Sequence, residues 1–279
     1  MLPILDDHAH LSPSGKRSEA VRQFEKAGGT HLIVSHMPYR LNPILSRGDW
    51  RAEFETTCSL VDEARKETGV QVFCVVGPYP VELLDISDRI GADKALQLMK
   101  EGVEVAAEFV LEKKAIGIGE VGRPHFEAAP EIMRMSNEIM RYCMEKAKDA
   151  DCPVVIHSEH VTSSNLEELS HMAQEAGLRA ERVVKHYCGK IGSDWPTGGL
   201  SLSVLSTRDN ILSAIENKLS FMMETDYLDD LSRPGAVLAP QTVPKRTKQL
   251  FEEGIIDERL WRKIHIERPK IAYGIDMEI

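Results

Sequence analysis

The sequence predicts a single (β/α)₈ TIM barrel over residues 1–279, with its active site at the carboxyl ends of the strands. Three observations support this α/β fold class. Short runs rich in Val and Ile alternate with longer amphipathic stretches, eight such runs can be counted, and no linker-like or low-complexity segment marks a domain boundary. Alternating strands and helices favour a parallel sheet covered by helices. A doubly wound open sheet is the alternative.

The apolar runs give the predicted strands in chain order. They lie at Pro3–Asp6, His31–Ser35, Val70–Val76, Ala115–Gly119, Val154–Ile156, Arg182–Lys185, Leu200–Leu205 and Ser220–Thr225. The segments between them follow helical patterns at Lys16–Ala27, Trp50–Thr68, Ala92–Glu112, Ala129–Ala150, Asn165–Ala176 and Thr207–Asn217. Candidate N-caps are Ser18, Ser87 and Ser164, and candidate left-handed helix ends are Gly28, Gly69 and Gly177.

The chain changes character after Tyr227. Proline and glycine punctuate Leu228–Pro244, which predicts a long loop over one end of the sheet. Helices are expected at Lys245–Glu253 and Asp257–Ile266, before Pro269 interrupts. This arrangement fits a last barrel helix and a closing extension.

The composition is that of an ordinary globular protein with an excess of acid. Hydrophobic residues make up 42% and charged residues 28% of the chain, and 34 Lys and Arg stand against 44 Asp and Glu, a net charge of −10. Sequence-independent nucleic-acid binding depends on neutralising phosphates, so we expect no extended nucleic-acid binding. A local phosphate site remains compatible with this charge.

The cysteines and the N-terminus indicate a cytoplasmic location. The five cysteines are odd in number and form no Cys-x-x-Cys pair, which argues against a disulfide framework and a thiolate zinc site. The N-terminus has no basic region before an apolar stretch, as a secretory signal would have. No run approaches about 18 apolar residues, so no membrane partner is expected. The oligomeric state is left open.

Histidines and acids at predicted strand ends form the strongest functional pattern. His8 and His10 lie two residues apart after the first strand, and such residues face the same side of a strand. In a barrel all carboxyl ends of the strands converge on one face. Each residue alone could be a hydrogen-bonded core residue or a turn residue. Together the set comprises His8, His10, Glu120, His157, His186 and Asp226.

A divalent metal centre explains this set best. Buried carboxylates and imidazoles are costly without partners, and a cation provides one. Four imidazoles and two carboxylates are too many ligands for one tetrahedral ion and suit two neighbouring ions. We therefore expect two divalent metal ions, drawn from Zn, Mn, Ni, Fe or Mg. Nitrogen-rich ligands favour the first four over Mg.

The ordered motifs resemble the TatD-type metal-dependent hydrolases of the amidohydrolase superfamily. These motifs are Asp6-x-His8-x-His10, Gly119-Glu120, Pro153-Val-Val-Ile-His157, His186, Glu224-Thr-Asp226 and the C-terminal Glu267–Tyr273 segment. The resemblance implies a barrel in which one metal is held by His8, His10, Glu120 and Asp226. It implies that Glu120, His157 and His186 hold the other metal, and that Asp226 moves the proton of the attacking water.

Three departures from the TatD nucleases put the substrate in question. Gly122-Arg123-Pro124-His125-Phe126 stands where Gly-Leu-Asp-Tyr usually follows the metal glutamate. Ser158-Glu159 replaces a frequent Ser-Arg, and Asp7 replaces a frequent threonine. The Gly-Arg-Pro-His variant is similar to an archaeal-type, TatD-related branch of predicted hydrolases.

Strand parity also predicts supporting residues. Asp6 and Glu224 lie two residues before His8 and Asp226, so both should share the inward face one layer deeper. Metal-bound histidines usually donate their other N–H to a carboxylate or carbonyl, a role expected for Asp6 or Glu224. A turn acceptor is the alternative for Asp6. Candidate substrate contacts are Arg123, His36 and His125.

The leading hypothesis is a dinuclear metal-dependent hydrolase that uses a metal-activated hydroxide. Glu120 is shared by both ions and Asp226 accepts the proton. The TatD resemblance favours a phosphoester, as in a deoxyribonuclease or phosphodiesterase. A lactonase- or amidase-type enzyme acting on a small metabolite is the alternative, and a non-catalytic metal-binding barrel is the third. The substrate would be a small molecule or a short nucleic acid.

Overall fold

Parallel strands run consecutively around the barrel in the computed structural model, which describes residues 2–277. The strands are β1 (Leu5–His10), β2 (His31–Ser35), β3 (Gln71–Val76), β4 (Gly117–Gly122), β5 (Val154–His157), β6 (Val183–Cys188), β7 (Ser201–Leu205), β8 (Phe221–Glu224) and β9 (Tyr227–Leu228). β9 follows β8 almost directly and pairs with β1, whereas β8 pairs with β7. This interrupted last strand joins the two ends of the sheet, which confirms the predicted TIM-barrel class.

Helices cover the outer face of the strands. They are α1 (Ser18–Ala27), α2 (Arg47–Glu67), α3 (Glu82–Ile90), α4 (Ala92–Leu111), α5 (Pro130–Asp149), α6 (Ser163–Ala176), α7 (Arg208–Glu216), α8 (Thr242–Glu252), α9 (Glu258–Arg262) and α10 (Arg268–Tyr273). A π-helical segment, Lys263–Glu267, joins α9 to α10. No helix within residues 2–277 combines the length and apolarity that crossing a membrane requires.

The helix ends differ in part from the predictions. Thr162, not Ser164, caps α6, because its hydroxyl accepts from the Asn165 amide at 3.2 Å while the Asn165 side chain accepts from the Thr162 amide at 2.9 Å. Gly28 and Gly177 end their helices in the left-handed conformation as predicted. Gly69 does not, since α2 ends at Glu67 and the extended residue that caps it is Thr68.

α3 and α10 occur where the sequence predicted no helix. Two of the predicted N-caps are also wrong. Ser87 lies inside α3, and Ser18 is the first helical residue of α1, whose N-cap is Arg17. The predicted interruption at Pro269 is wrong. Pro269 lies in the first turn of α10, where the missing N–H leaves no intrahelical bond unmade.

The C-terminal segment closes the amino end of the barrel. The interior cluster contains Leu5, Ile33, Val75, Val155, Val184 and Met222 from the strands, with Ala272, Tyr273, Ile275 and Met277 from the C-terminus. Arg268 donates to the Ser201 hydroxyl at the start of β7 at 2.9 Å, and Arg182 donates to the Ala272 carbonyl at 3.2 Å. The apolar plug leaves the carboxyl end of the barrel as its open face.

Candidate metal centre

The structure brings the six predicted ligands together at the carboxyl end of the barrel. His8 and His10 end β1, His157 ends β5, and Glu120 and His186 lie in the last halves of β4 and β6. Asp226 lies in the two-residue gap between β8 and β9. Two sets of side chains have ligand atoms within 4.8 Å of one another, namely His8 with His10 and Asp226, and His8 with Glu120 and His186.

Glu120 stands between two pairs of imidazoles. Its Oε1 lies 2.8 Å from His8 Nε2 and 3.2 Å from His10 Nε2. Its Oε2 lies 2.9 Å from His157 Nδ1 and 3.3 Å from His186 Nε2. Each carboxylate oxygen therefore faces its own pair of ring nitrogens.

Asp226 completes the His8–His10 side of this arrangement. Its Oδ1 lies 3.2 Å from His10 Nε2 and 3.8 Å from His8 Nε2. The residue adopts a φ of 47°, in the left-handed region that few non-glycine residues occupy, and its amide donates to the His8 carbonyl at 2.9 Å. Its side chain is 15% exposed against 1% for Glu120, so Asp226 is the carboxylate open to the cavity.

The charges of the centre stabilise one another. Burial opposes ionisation of Glu120, but the positive charges of His186 and His8 outweigh it and hold the pKa of Glu120 well below its usual range. Burial likewise works against a charged His186, yet Glu120 and Glu224 raise its pKa to about 10. Burial also opposes the Asp226 carboxylate, and His10 lowers its pKa nonetheless. The cluster thus concentrates charge where solvent hardly reaches.

The residues present fit divalent cations. Glu120 Oε2 is a buried oxygen that, with His157 Nδ1 at 2.9 Å, still lacks a hydrogen bond of good geometry in the described part of the chain. Four imidazoles and two carboxylates gathered around Glu120 match the nitrogen and oxygen donors of transition-metal sites. A cation held there would satisfy Glu120 Oε2, which hydrogen bonds leave unsatisfied.

Ser35 is a supporting residue that the sequence reasoning missed. Its hydroxyl lies 3.2 Å from His8 Nδ1, and its carbonyl lies 3.0 Å from His10 Nδ1. One residue at the end of β2 thus orients both β1 histidines with their Nε2 atoms toward Glu120. The signal available in the sequence was a polar residue closing an apolar strand, at the barrel face where the histidines were expected.

Glu224 lies beneath His186, on the inward face predicted by strand parity. It accepts from the Tyr187 amide at 2.6 Å and from the Ser203 hydroxyl, and its Oε1 lies 3.7 Å from His186 Nδ1. Ser203 also lies 2.6 Å from Asp7 Oδ1. Burial, with the nearby charge of Glu224, raises the pKa of Asp7 well above its usual value. A layer of buried acids therefore lies under the ligand set.

Asp6 does not share the inward face, and the parity prediction for it is wrong. The pairing of β1 with β2 shifts register between Asp6 and Ala9, and this irregularity changes which side chains face inward. Asp6 instead borders a small void beneath α1. It accepts from the Thr225 hydroxyl at 2.6 Å and the Thr225 amide at 3.0 Å. Asp6 thereby ties β1 to the residue that precedes Asp226.

Arg123 lies away from the cavity. Its side chain is 5% exposed, and its guanidinium donates to Asn137 Oδ1 at 2.6 Å, to Glu159 Oε1 at 2.9 Å and to Glu168. These bonds join the loop after β4 to α5, to the loop after β5 and to α6. The geometry therefore supports a structural role for Arg123 rather than the predicted substrate contact.

His36 and His125, the other predicted substrate contacts, have different surroundings. His36 is buried behind the cavity wall, its Nδ1 lies 2.9 Å from the Thr57 hydroxyl, and burial lowers its pKa to about 3. His125 is exposed and lines the cavity. Its Nδ1 lies 3.0 Å from His157 Nε2. Of the two, only His125 is placed to meet a ligand.

A cavity of about 860 Å³ opens above the ligands. Its wall includes two arginines, Arg40 and Arg233, and the apolar side chains Met37, Val81, Leu228 and Val237. Of its acids outside the ligand set, Glu82 has a pKa raised to about 8 by burial. Asp229 accepts from the amides of Lys16 at 2.7 Å and Arg17 at 2.8 Å. Burial of Glu82 therefore reduces the negative charge of the wall near neutral pH.

Comparisons with known proteins agree with this architecture. The family model described as TatD related DNase matches residues 5–274. The uncharacterized protein MJ1127 of Methanocaldococcus jannaschii is 38% identical over 281 residues, covering 100% of this chain and 98% of that protein. Two solved structures from Escherichia coli share the fold. The TatD homologue YJJV has a TM-score of 0.65 at 16% identity, covering 98% of each chain. The phosphotriesterase homology protein, complexed with phosphate in its active site, has a TM-score of 0.65 at 16% identity, covering 97% of this chain and 98% of that one.

Proposed function

Because the chain belongs to the TatD-related DNase family of metal-dependent hydrolases, we propose that it is a dinuclear hydrolase acting on a phosphoester. One observation carries the proposal. Each oxygen of Glu120 faces its own pair of imidazole nitrogens, at 2.8 and 3.2 Å on one side and 2.9 and 3.3 Å on the other. A carboxylate placed between two such pairs suits two neighbouring divalent ions.

The two sides of Glu120 define the proposed ligand sets. His8, His10 and Asp226 would hold one ion with Oε1, and His157 and His186 would hold the other with Oε2. Such ions, when bound, lower the pKa of water toward neutrality and polarise a phosphoryl oxygen. The nitrogen-rich set favours Zn, Mn, Ni or Fe over Mg.

Asp226 is the proposed proton acceptor. It is the more exposed of the two carboxylates, and its lowered pKa keeps Oδ1 ionised at neutral pH. A carboxylate that is ionised, oriented by its backbone and open to the cavity can take a proton from the attacking water and pass it to the leaving group.

The cavity wall supports an anionic substrate of limited size. Arg40 and Arg233 are 75% and 63% exposed, and because Arg233 is paired with Asp230 at 2.7 Å, Arg40 is the freer of the two to meet a bound anion. About 860 Å³ accommodates a small molecule or a few nucleotides. The similarly folded phosphotriesterase homology protein is complexed with phosphate in its active site, which favours phosphoryl chemistry in this proposal. The net charge of −10 still argues against coating a long nucleic acid.

A lactonase or amidase acting on a small metabolite is the second candidate. The apolar residues Met37, Val81 and Val237 in the cavity wall favour it, because they would contact the uncharged part of such a substrate. The same ligand set could activate water toward a carbonyl carbon.

The test is a substrate panel on the full chain, reconstituted separately with Zn²⁺, Mn²⁺ and Mg²⁺. We expect turnover of chromogenic phosphodiesters or release of nucleotides from short single strands, and loss of that turnover after chelation. Turnover of lactones or amides alone would favour the second candidate. Fewer than two bound ions per chain after reconstitution would contradict the dinuclear proposal, and fewer than one would favour a non-catalytic barrel.

A further inference from the structure

His157 differs from the other proposed ligands in what orients its ring. The far nitrogens of His8 and His10 meet Ser35 in the barrel wall, and that of His186 faces Glu224 beneath it. His157 turns Nδ1 toward Glu120 and Nε2 toward the cavity. The partners of Nε2 are His125 Nδ1 at 3.0 Å and the Tyr79 hydroxyl at 3.3 Å.

We propose that His125 is a positioning residue, which accepts a hydrogen bond from His157 Nε2–H and so keeps His157 Nδ1 free to bind the ion on the Oε2 side of Glu120. This inference rests on the proposed dinuclear function. A ring nitrogen that binds a cation carries no proton, so the proton of neutral His157 must reside on Nε2 and needs an acceptor. His125 Nδ1 lies at the hydrogen-bond distance for that role.

The placement of His125 makes the two ions unequal. Ser35 is fully buried in β2, whereas His125 is an exposed residue of the loop between β4 and α5. Both ligand histidines on the Oε1 side are thus oriented by the barrel wall, whereas on the Oε2 side Glu224 faces His186 and a loop residue orients His157. Loss of the His125 acceptor should weaken the second ion and leave the first unchanged.

The experiment measures zinc binding to the metal-free full chain by competition with a chromophoric chelator. We expect two ions in the wild type and in His125→Ala, with the weaker ion bound about 10- to 100-fold less tightly in the variant. His125→Asn should restore most of the affinity, because its amide oxygen replaces the ring Nδ1 as acceptor. Tyr79→Phe, which removes the more distant hydroxyl, should change neither affinity.

The matched control is His171→Ala, which removes an exposed histidine of α6 from outside the cavity lining and should bind zinc like the wild type. Unchanged affinities in His125→Ala, an equal loss at both sites, or a loss confined to Tyr79→Phe would each overturn the inference. A wild type that binds fewer than two ions would instead overturn the proposed function, and this inference with it. Circular dichroism checks the fold of each variant.

Discussion

His186 and His265 are both fully buried, yet the barrel treats them in opposite ways. His186 lies among carboxylates at the carboxyl end, where Glu120 and Glu224 overcome the effect of burial and raise its pKa to about 10. His265 lies beside Leu5 in the closed part of the barrel, where burial lowers its pKa to about 3. Its ring nitrogens meet the Leu5 backbone and the Thr247 hydroxyl, at 3.2 and 3.1 Å.

The difference teaches that burial alone does not make a histidine a metal ligand. The ring at the open end has a carboxylate near each nitrogen, with Glu120 Oε2 3.3 Å from Nε2 and Glu224 Oε1 3.7 Å from Nδ1, whereas the ring at the closed end is neutral and bonded on both sides. A cation can replace the proton of the first ring. The second ring could bind a cation only by giving up one of its hydrogen bonds, because neither nitrogen has a free lone pair.

The largest effect is expected from removing the charge of Glu120, which raises the pKa of His186 and so distinguishes it from His265. Glu120→Gln keeps the shape and removes the charge that faces all four imidazoles. We expect a loss of at least about 1000-fold in kcat/KM, because several kcal/mol of charge stabilisation disappear. Both ions should also bind more weakly, measured by metal analysis after dialysis. Glu145→Gln, on the exposed side of α5, is the matched control, and an active Glu120→Gln enzyme would be incompatible with the proposal.

Removal of the exposed carboxylate should affect turnover more selectively. Asp226→Asn keeps an oxygen beside His10 but takes away the proton acceptor, so we expect kcat to fall by about 100-fold or more. The ion on the Oε2 side of Glu120 should remain, since Asp226 lies on the other side. Steady-state kinetics combined with metal analysis checks both parts. Wild-type kcat in this variant would exclude Asp226 as the acceptor.

A hydrogen bond that orients His8 can be removed while every proposed ligand is kept. Ser35→Ala removes the hydroxyl at His8 Nδ1 and leaves the backbone carbonyl at His10 Nδ1. We expect the ion on the Oε1 side to bind about 10-fold less tightly, at the lower end of the effect of such outer contacts. Chelator competition measures this, with Ser232→Ala, in the exposed loop before α8, as control. A loss on the Oε2 side instead would contradict the proposed division of ligands.

His265, at the closed end of the barrel, should make the stability of the fold depend on pH, because its pKa is lowered where that of His186 is raised. The pKa of His265 is lower in the folded chain, at about 3, than the 6.5 of an exposed histidine, so the unfolded chain takes up the proton first. Stability from this residue is therefore complete above pH 6.5 and falls as the pH drops toward 3. The free energy of unfolding then falls by up to about 1.4 kcal/mol for each pH unit.

His265→Gln keeps hydrogen-bonding groups without the titration, so it isolates this effect. Its free energy of unfolding should depend less steeply on pH between about 6 and 4 than that of the wild type, measured in urea with chelator present. His171→Gln, an exposed histidine, should keep the wild-type slope. Equal slopes for wild type and His265→Gln would show that His265 is not neutral in the fold.

The sequence by itself determined the barrel and the proposed ligand set. Alternating strand and helix patterns dictate parallel pairing, and parallel pairing gathers the strand ends that carry His8, His157 and Asp226. These positions follow from local patterns, so no knowledge of long-range contacts is needed to predict them.

Only the tertiary structure decided which residues support that set. The register shift in β1 turns Asp6 toward Thr225, and a shift in pairing depends on the neighbouring strand rather than on local sequence. Arg123 follows a strand end like the ligands do, yet three side chains from other elements bind it. Ser35 and His125 become partners of histidines only because the closed barrel brings distant loops and strands within hydrogen-bond distance. Strand ends are fixed by local periodicity, whereas side-chain partners are fixed by contacts between segments far apart in the chain.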